Sequence, residues 1–133
     1  MLTENRYRNR NLIREFLNDV GTKHLRFDGY AFLLKAGIHI ADRMTDREFP
    51  IEEFTFIINQ IVKNKQILVN IVNNPDVPAR INFYGHDDYM IGVTFHASKN
   101  FPNKYDIQLR TLYKERNSQF RERNVSVYKV RLA

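Results

Sequence analysis

Apolar residues recur along this chain in two rhythms, and the change between them divides it. In the first stretch Leu12, Ile13, Phe16, Leu17 and Val20 fall on one face at helical spacing, with Arg6, Arg8, Arg10 and Arg14 around the remainder. Thr3 followed by Glu4 suits a helix start and Gly21 a left-handed stop, so the pattern predicts a helix over residues 3–20. Residues 21–30 read as turn-like, with Asp28-Gly29 as the breaker. Tyr30 to Leu34 is apolar and fits a strand or a helix start. Helices are then predicted over about 38–63. The first runs through IHIADRM; the second follows Pro50 and presents Phe54, Ile57, Ile58 and Ile61 on one face.

Beyond Asn64 and Lys65 the rhythm shortens from 3.6 to 2. Ile67, Leu68, Val69 and Ile71 read as a strand closed by the turn-rich NNPDVP. Ile81 to Tyr84, Tyr89 to His96, Tyr105 to Tyr113 and the tail VSVYKVRLA read as further strands, with a hairpin turn at Gly85 to Asp88. The expectation is a single α+β domain over 1–133. Its N-terminal helices would pack on a four- to five-stranded, mainly antiparallel sheet over about 66–132.

Composition narrows the function classes. A chain of 133 residues can bury one core without staples. There is no cysteine, which excludes disulfides, thiolate catalysis and a cysteine-ligated zinc site. No apolar run approaches the ~20 residues needed to cross a bilayer, and MLTENRYRNR lacks a signal-peptide apolar region, so the expected compartment is cytoplasmic. The formal net charge is +6 and unevenly placed. Residues 1–26 hold six Lys or Arg against three acids, and residues 104–133 hold eight against three. Such a surface suits nucleic acid, because phosphates bound to it release their counterions. Many soluble domains are equally basic for solubility alone.

The candidate chemistry is acid–base chemistry without a cofactor. None of His24, His39, His86 and His96 falls in a zinc-ligand spacing, and His86-Asp87-Asp88 occupies an expected turn, where Asp is common for backbone reasons. No metal site and no cofactor is expected. Metal-free RNA cleavage needs a base for the ribose 2′-OH, an acid for the departing 5′-oxygen, and positive charge around the phosphorane. Histidine suits the first two roles and arginine the third. His39, Arg43 and Arg47 recur at i, i+4, i+8, which stacks them on one face of a continuous helix. A solvated face carrying three cations would show the same spacing. Tyr84, Tyr89, Phe101, Tyr105 and Tyr113 lie close in sequence to Arg80, Lys99, Lys104 and Arg110, a mixture that can stack bases and hold phosphates, or simply fill a β-rich core.

Two segments carry a resemblance. AFLLKAGIHIADRMTDREFPIEEFTFIINQI holds a short apolar strand, His39, Asp42-Arg43, Arg47-Glu48 and an apolar helix. MIGVTFHASKNFPNKYDIQLRTLY holds Gly92, Thr94, Lys99, Phe101, Gln108 and Arg110. Together, over about 31–114, they resemble the RegB-type sequence-specific phage endoribonucleases. The resemblance implies a RelE/ParE-like fold and metal-independent cleavage of mRNA leader regions that leaves a 2′,3′-cyclic phosphate. It also implies ribosomal protein S1 as a stimulating partner. His39 would fall at the family's catalytic histidine and Arg43 at its neighbouring active-site arginine, with Arg47, Arg80, Lys99 and Arg110 around the phosphates. The chain departs from the pattern at Asn59, where the family has a second histidine; Asn can hydrogen-bond but cannot move a proton. Either His96 supplies the missing role, or the chain is a catalytically silent nucleic-acid-binding regulator on the same fold. A ribosome-directed toxin of the RelE kind is a third reading.

Overall fold

The structure is a computed structural model and describes Glu15, residues 22–115 and residues 127–133. Apart from Glu15, the helix expected over 3–20 lies outside the described residues. The described chain is α+β: three helices and one mixed six-stranded sheet. Strands β1 (Lys23–Phe27) and β2 (Tyr30–Ala36) lead into helices α1 (Ile38–Asp46), α2 (Ile51–Lys63) and α3 (Lys65–Val72). Strands β3 (Arg80–Tyr84), β4 (Tyr89–Ala97), β5 (Lys104–Lys114) and β6 (Val127–Arg131) follow.

The sheet order is β1-β2-β5-β4-β3-β6. The pairs β1/β2, β4/β5 and β3/β4 are antiparallel, whereas β2/β5 and β3/β6 are parallel. This corrects two expectations. The sheet is mixed with six strands, and two strands precede the described helices. β1 was read as turn; it is one arm of a two-residue hairpin whose central Asp28 and Gly29 both have positive φ, 51° and 83°. That is the backbone a tight right-twisted hairpin requires, and Asp-Gly is among its preferred sequences.

A third correction concerns Ile67, Leu68, Val69 and Ile71, expected as a strand and observed within α3. Leu68, Val69 and Ile71 are buried, and Gln66 bonds Asn70 one turn on across the exposed side at 2.9 Å. A short buried apolar run does not declare its period, and the exposed polar pair at i, i+4 decides for helix.

All three helices pack on one side of the sheet. Ile40, Ala41 and Met44 of α1, Phe54, Ile57, Ile58 and Ile61 of α2, and Leu68, Val69 and Ile71 of α3 join a core with Leu25, Phe32, Leu34, Ile81, Phe83, Ile91, Val93, Ile107, Leu109 and Leu112. Helix α2 starts at Pro50 with Glu52 and Glu53 in its first turn, where the helix dipole favours acids. Helix α1 closes in a Schellman turn: the Phe49 amide reaches the Met44 carbonyl at 2.9 Å and the Glu48 amide the Thr45 carbonyl at 3.3 Å. Glu48 takes the left-handed position that glycine favours, at φ 51°. The turn leaves Arg47 at the end of α1, beside β5.

The Gly85 to Asp88 turn forms as expected. Its backbone approaches α2 so closely that a side chain at Gly85 would collide with the Glu53 carboxylate. Glu53 also accepts from the His86 amide at 2.6 Å and pairs with the His86 ring at 3.2 Å, while Phe56 packs on that ring. His86 therefore pins the turn to α2.

Candidate nucleic-acid interface and active site

Strand alternation sends one set of side chains into the helix-packed core and the other to the opposite face, which carries no described helix. Pairing registers identify the second set. One row across the sheet reads His24, Leu33, Asp106, His96; the next reads Lys35, Gln108, Thr94, Arg80, Val127. Arg26, Ala31 and Lys104 form a row on one side of these, and Asn82 with Lys129 and Tyr84 with Arg131 continue the face toward β6. Among the described residues Arg26, Lys35, Arg80, Lys104, Arg110, Lys129 and Arg131 thus gather on one surface with His24 and His96, and the acids beside them include Asp106, Glu115 and Asp88, the last paired with Arg131 at 3.5 Å. Near a Debye length or less, such a surface favours a polyanion.

At its centre β5 carries a bulge. Gly92 pairs with Thr111 but Val93 pairs with Leu109, so Arg110 is the extra residue. A bulge bends the strand and re-aims the side chain at that point. Arg110 follows Asp106 and Gln108 onto the polar face, and the extra residue brings Thr111 onto it as well; the Arg110 Nε donates to Thr94 Oγ1 at 2.9 Å and its Nη2 lies 3.3 Å from His96 Nε2. Thr94 Oγ1 lies 3.0 Å from the same His96 nitrogen. A guanidinium only donates, so Nε2 is the acceptor side of the contact between Arg110 and His96. His96 and Arg110 are exposed and Thr94 half-buried. The arrangement sets an imidazole and a guanidinium side by side and open to solvent, where a bound anion could meet both.

The bulge is held from α1. Strand β2 pairs with β5 only as far as Leu109, and the chain then turns into α1. Arg43 Nη1 donates to the Arg110 carbonyl, and Arg47 Nη1 to the Leu112 carbonyl at 2.9 Å and to Thr111 Oγ1 at 2.8 Å. Carbonyls that would otherwise lie unpaired beyond the end of β2 are satisfied by these two arginines. Arg47 also lies over the Tyr113 ring, 5.9 Å from its centroid. Burial first, then repulsion from Arg43, holds the Arg47 guanidinium below its ordinary value.

Gly92 makes the middle of the face passable. A Cβ there would stand 2.9 Å from Asn82 Oδ1, 2.9 Å from Thr111 Cγ2 and 3.0 Å from Arg80 Nη1. The Arg80 guanidinium therefore lies across Gly92, next to Thr94. Further along, Tyr84, Met90 and Tyr113 form a small second core with Lys129 and Arg131 over the Tyr84 ring. Tyr84 donates to Glu115 at 2.8 Å, and Lys129 reaches the same carboxylate oxygen at 2.8 Å. Burial pushes the Glu115 carboxyl up, but hydrogen bonds from Lys129 and Tyr84 outweigh it and hold the group below its ordinary value.

The sequence-predicted residues divide accordingly. His96, Arg110 and Arg80 come together on the polar face, and Arg47 reaches the same region through Thr111. Arg43 is committed to a backbone carbonyl, which fits a positioning role better than contact with a phosphate. His39 lies exposed in the first turn of α1, one turn before Arg43, and makes no hydrogen bond among the described residues. The straight His39, Arg43, Arg47 face thus splits into two arginines turned to β5 and an exposed histidine. Asn59 does not join the site. It is exposed on α2, whose buried face meets the opposite side of the sheet. Lys99 is exposed in the loop after β4, beyond His96.

Lys35, Asp106, His24 and Arg26 were not anticipated at the site. Lys35 pairs with Asp106 at 3.2 Å, and Asp106 faces His96 in register. The available signal was parity, since Thr94 with His96, and Asp106 with Gln108, recur at spacing two on their strands. No family model, curated protein or solved structure matches this chain.

Proposed function

We propose that the protein is a metal-independent endoribonuclease, on a RelE/ParE-like variant of the α+β architecture, that takes unpaired RNA onto the face of its sheet opposite the three described helices. The observation that carries the reading is the His96, Thr94 and Arg110 cluster at the centre of a cationic surface. In this reading His96 Nε2 takes the proton of a ribose 2′-OH and the 2′-oxygen bonds to phosphorus. The bond to the 5′-oxygen breaks, and that oxygen leaves with the proton from the imidazolium. Arg110, Arg80 and Lys35 face the accumulating negative charge. Arg43 serves by holding the bulge that aims Arg110. The motif resemblance in 31–114 supports the same chemistry.

The second reading is a nucleic-acid-binding regulator without catalysis. It is favoured by Asn59 on the outer side of α2 and by the single histidine at the cluster. Both are tested by incubating an end-labelled mRNA leader with wild type, His96→Ala and His39→Ala, in EDTA, with and without ribosomal protein S1. The nuclease reading expects a 2′,3′-cyclic end from wild type, no cutting of an all-deoxy strand, and a loss of about 100-fold or more in His96→Ala. Undiminished cleavage by His96→Ala would move the chemistry to α1. A salt-sensitive gel shift without cleavage by any form would establish the regulator.

A further inference from the structure

We propose that the hollow between β1, β2 and the start of β5 is a nucleobase subsite for the same RNA strand; the inference rests on reading this face as an RNA site. The hollow has a volume of about 290 Å³ and is lined by His24, Leu25 and Arg26 of β1, Ala31, Phe32 and Leu33 of β2, and Lys104 of β5. His24, Arg26, Ala31, Leu33 and Lys104 belong to the polar face by register, and Leu25 and Phe32 to the core face. His24 and His96 end one cross-sheet row, with Leu33 and Asp106 between them. Three strand spacings of roughly 4.8 Å put His24, on the far wall of the hollow, about 14 Å from His96, a few nucleotides along an extended strand.

The lining decides the occupant. Ala31 and Leu33 offer an apolar floor, the surface on which the π face of a base packs once it leaves water. His24, Arg26 and Lys104 are exposed around it and supply donors to the edge of the base or to its flanking phosphates. No acid lines the hollow. A phosphate alone would leave the apolar floor unused, and the rim shares the polar face with the cluster around His96 and Arg110, with Asp106 and its partner Lys35 between them. The base therefore sets register, and the cluster acts on the backbone a fixed distance away.

The test uses fluorescence anisotropy with a labelled single-stranded RNA across a salt series, on wild type, Ala31→Phe and Arg110→Ala. Filling the hollow with Ala31→Phe removes no cation. It is expected to weaken binding about tenfold while leaving the salt slope unchanged; Arg110→Ala lowers affinity and slope together. A second variant covers the case in which Ala31→Phe misfolds. The chain has no tryptophan, so Leu33→Trp places a single reporter in the floor, which RNA should quench and heparin, a polyanion without bases, should not. Wild-type affinity in a folded Ala31→Phe, or an equal response of Leu33→Trp to RNA and heparin, overturns the subsite and leaves the RNA face standing. Failure of wild type itself to bind RNA takes down both readings.

Discussion

Replacing Gly92 with alanine adds one methyl group at the centre of the sheet, and its cost can be worked from its neighbours. The added Cβ would meet Asn82 Oδ1 and Thr111 Cγ2 at 2.9 Å and Arg80 Nη1 at 3.0 Å. Favourable contacts between heavy atoms lie at roughly 3.5–4.0 Å, so all three are too close by about half an ångström or more. Asn82 and Thr111 are buried on flanking strands paired to Gly92 on both sides, and cannot retreat without spreading the sheet. Only the Arg80 guanidinium can swing away, which takes it off the polar face. Overpacking of this kind costs about 1–3 kcal/mol, offset by up to about 1 kcal/mol from replacing a strand glycine. The net expectation is a loss of about 1–2 kcal/mol, or roughly 5 °C in Tm for a domain of this size. Urea and thermal unfolding of wild type, Gly92→Ala, Thr111→Ser and the double variant measure it. Thr111→Ser removes the clashing methyl and keeps the hydroxyl that Arg47 uses, so the double variant should recover part of the loss as a favourable coupling energy. A Gly92→Ala variant as stable as wild type would refute the placement of Asn82, Thr111 and Arg80 around this glycine.

Two further outcomes follow from the same geometry. Arg43→Ala removes an exposed hydrogen bond to the carbonyl of the bulge; it should cost about 0.5–1.5 kcal/mol in urea unfolding, whereas Arg110→Ala should affect RNA binding more than stability. The opposite ranking would make Arg43 a ligand-contacting residue. Glu115 has a folded-state value held below its ordinary 4.5, so its contribution is present above that pH and lost as pH falls through the folded value. Glu115→Gln should therefore destabilise the protein at neutral pH, and the gap to wild type should close on acidification below about 4.5. A gap that stays constant down to pH 2 would show that the Tyr84, Glu115 and Lys129 network does not titrate as described.

Much of the architecture was legible in local pattern. The 3.6-residue repeat in 51–63 and the strands Ile81 to Tyr84, Tyr89 to His96 and Tyr105 to Tyr113 are dictated by which side chains must be buried together, and each is observed where the pattern places it. The α+β class follows from those elements. Two misreadings had local remedies: Asp28-Gly29 between apolar arms is a hairpin signal, and Gln66 with Asn70 marks a helix inside an apolar run. The candidate site was half legible, because a histidine and several arginines suited to phosphate chemistry can be picked out by type.

Which of them meet was a matter for the tertiary structure. His96 and Arg110 are fourteen positions apart, and only the β4/β5 register, with a bulge inserted at Arg110, brings Nη2 to Nε2. Arg43 and Arg47 look alike beside His39 in the sequence; the early end of β2 turns both toward open carbonyls of β5. Lys35 and Arg26 join the same face only because β2 pairs in parallel with a strand some seventy residues later. Residue type and spacing are local properties, whereas register, strand order and the face a side chain takes are set by how distant segments share one core. This chain's amino acids determined its elements and its cationic chemistry, and the packing of the sheet determined which cations surround His96.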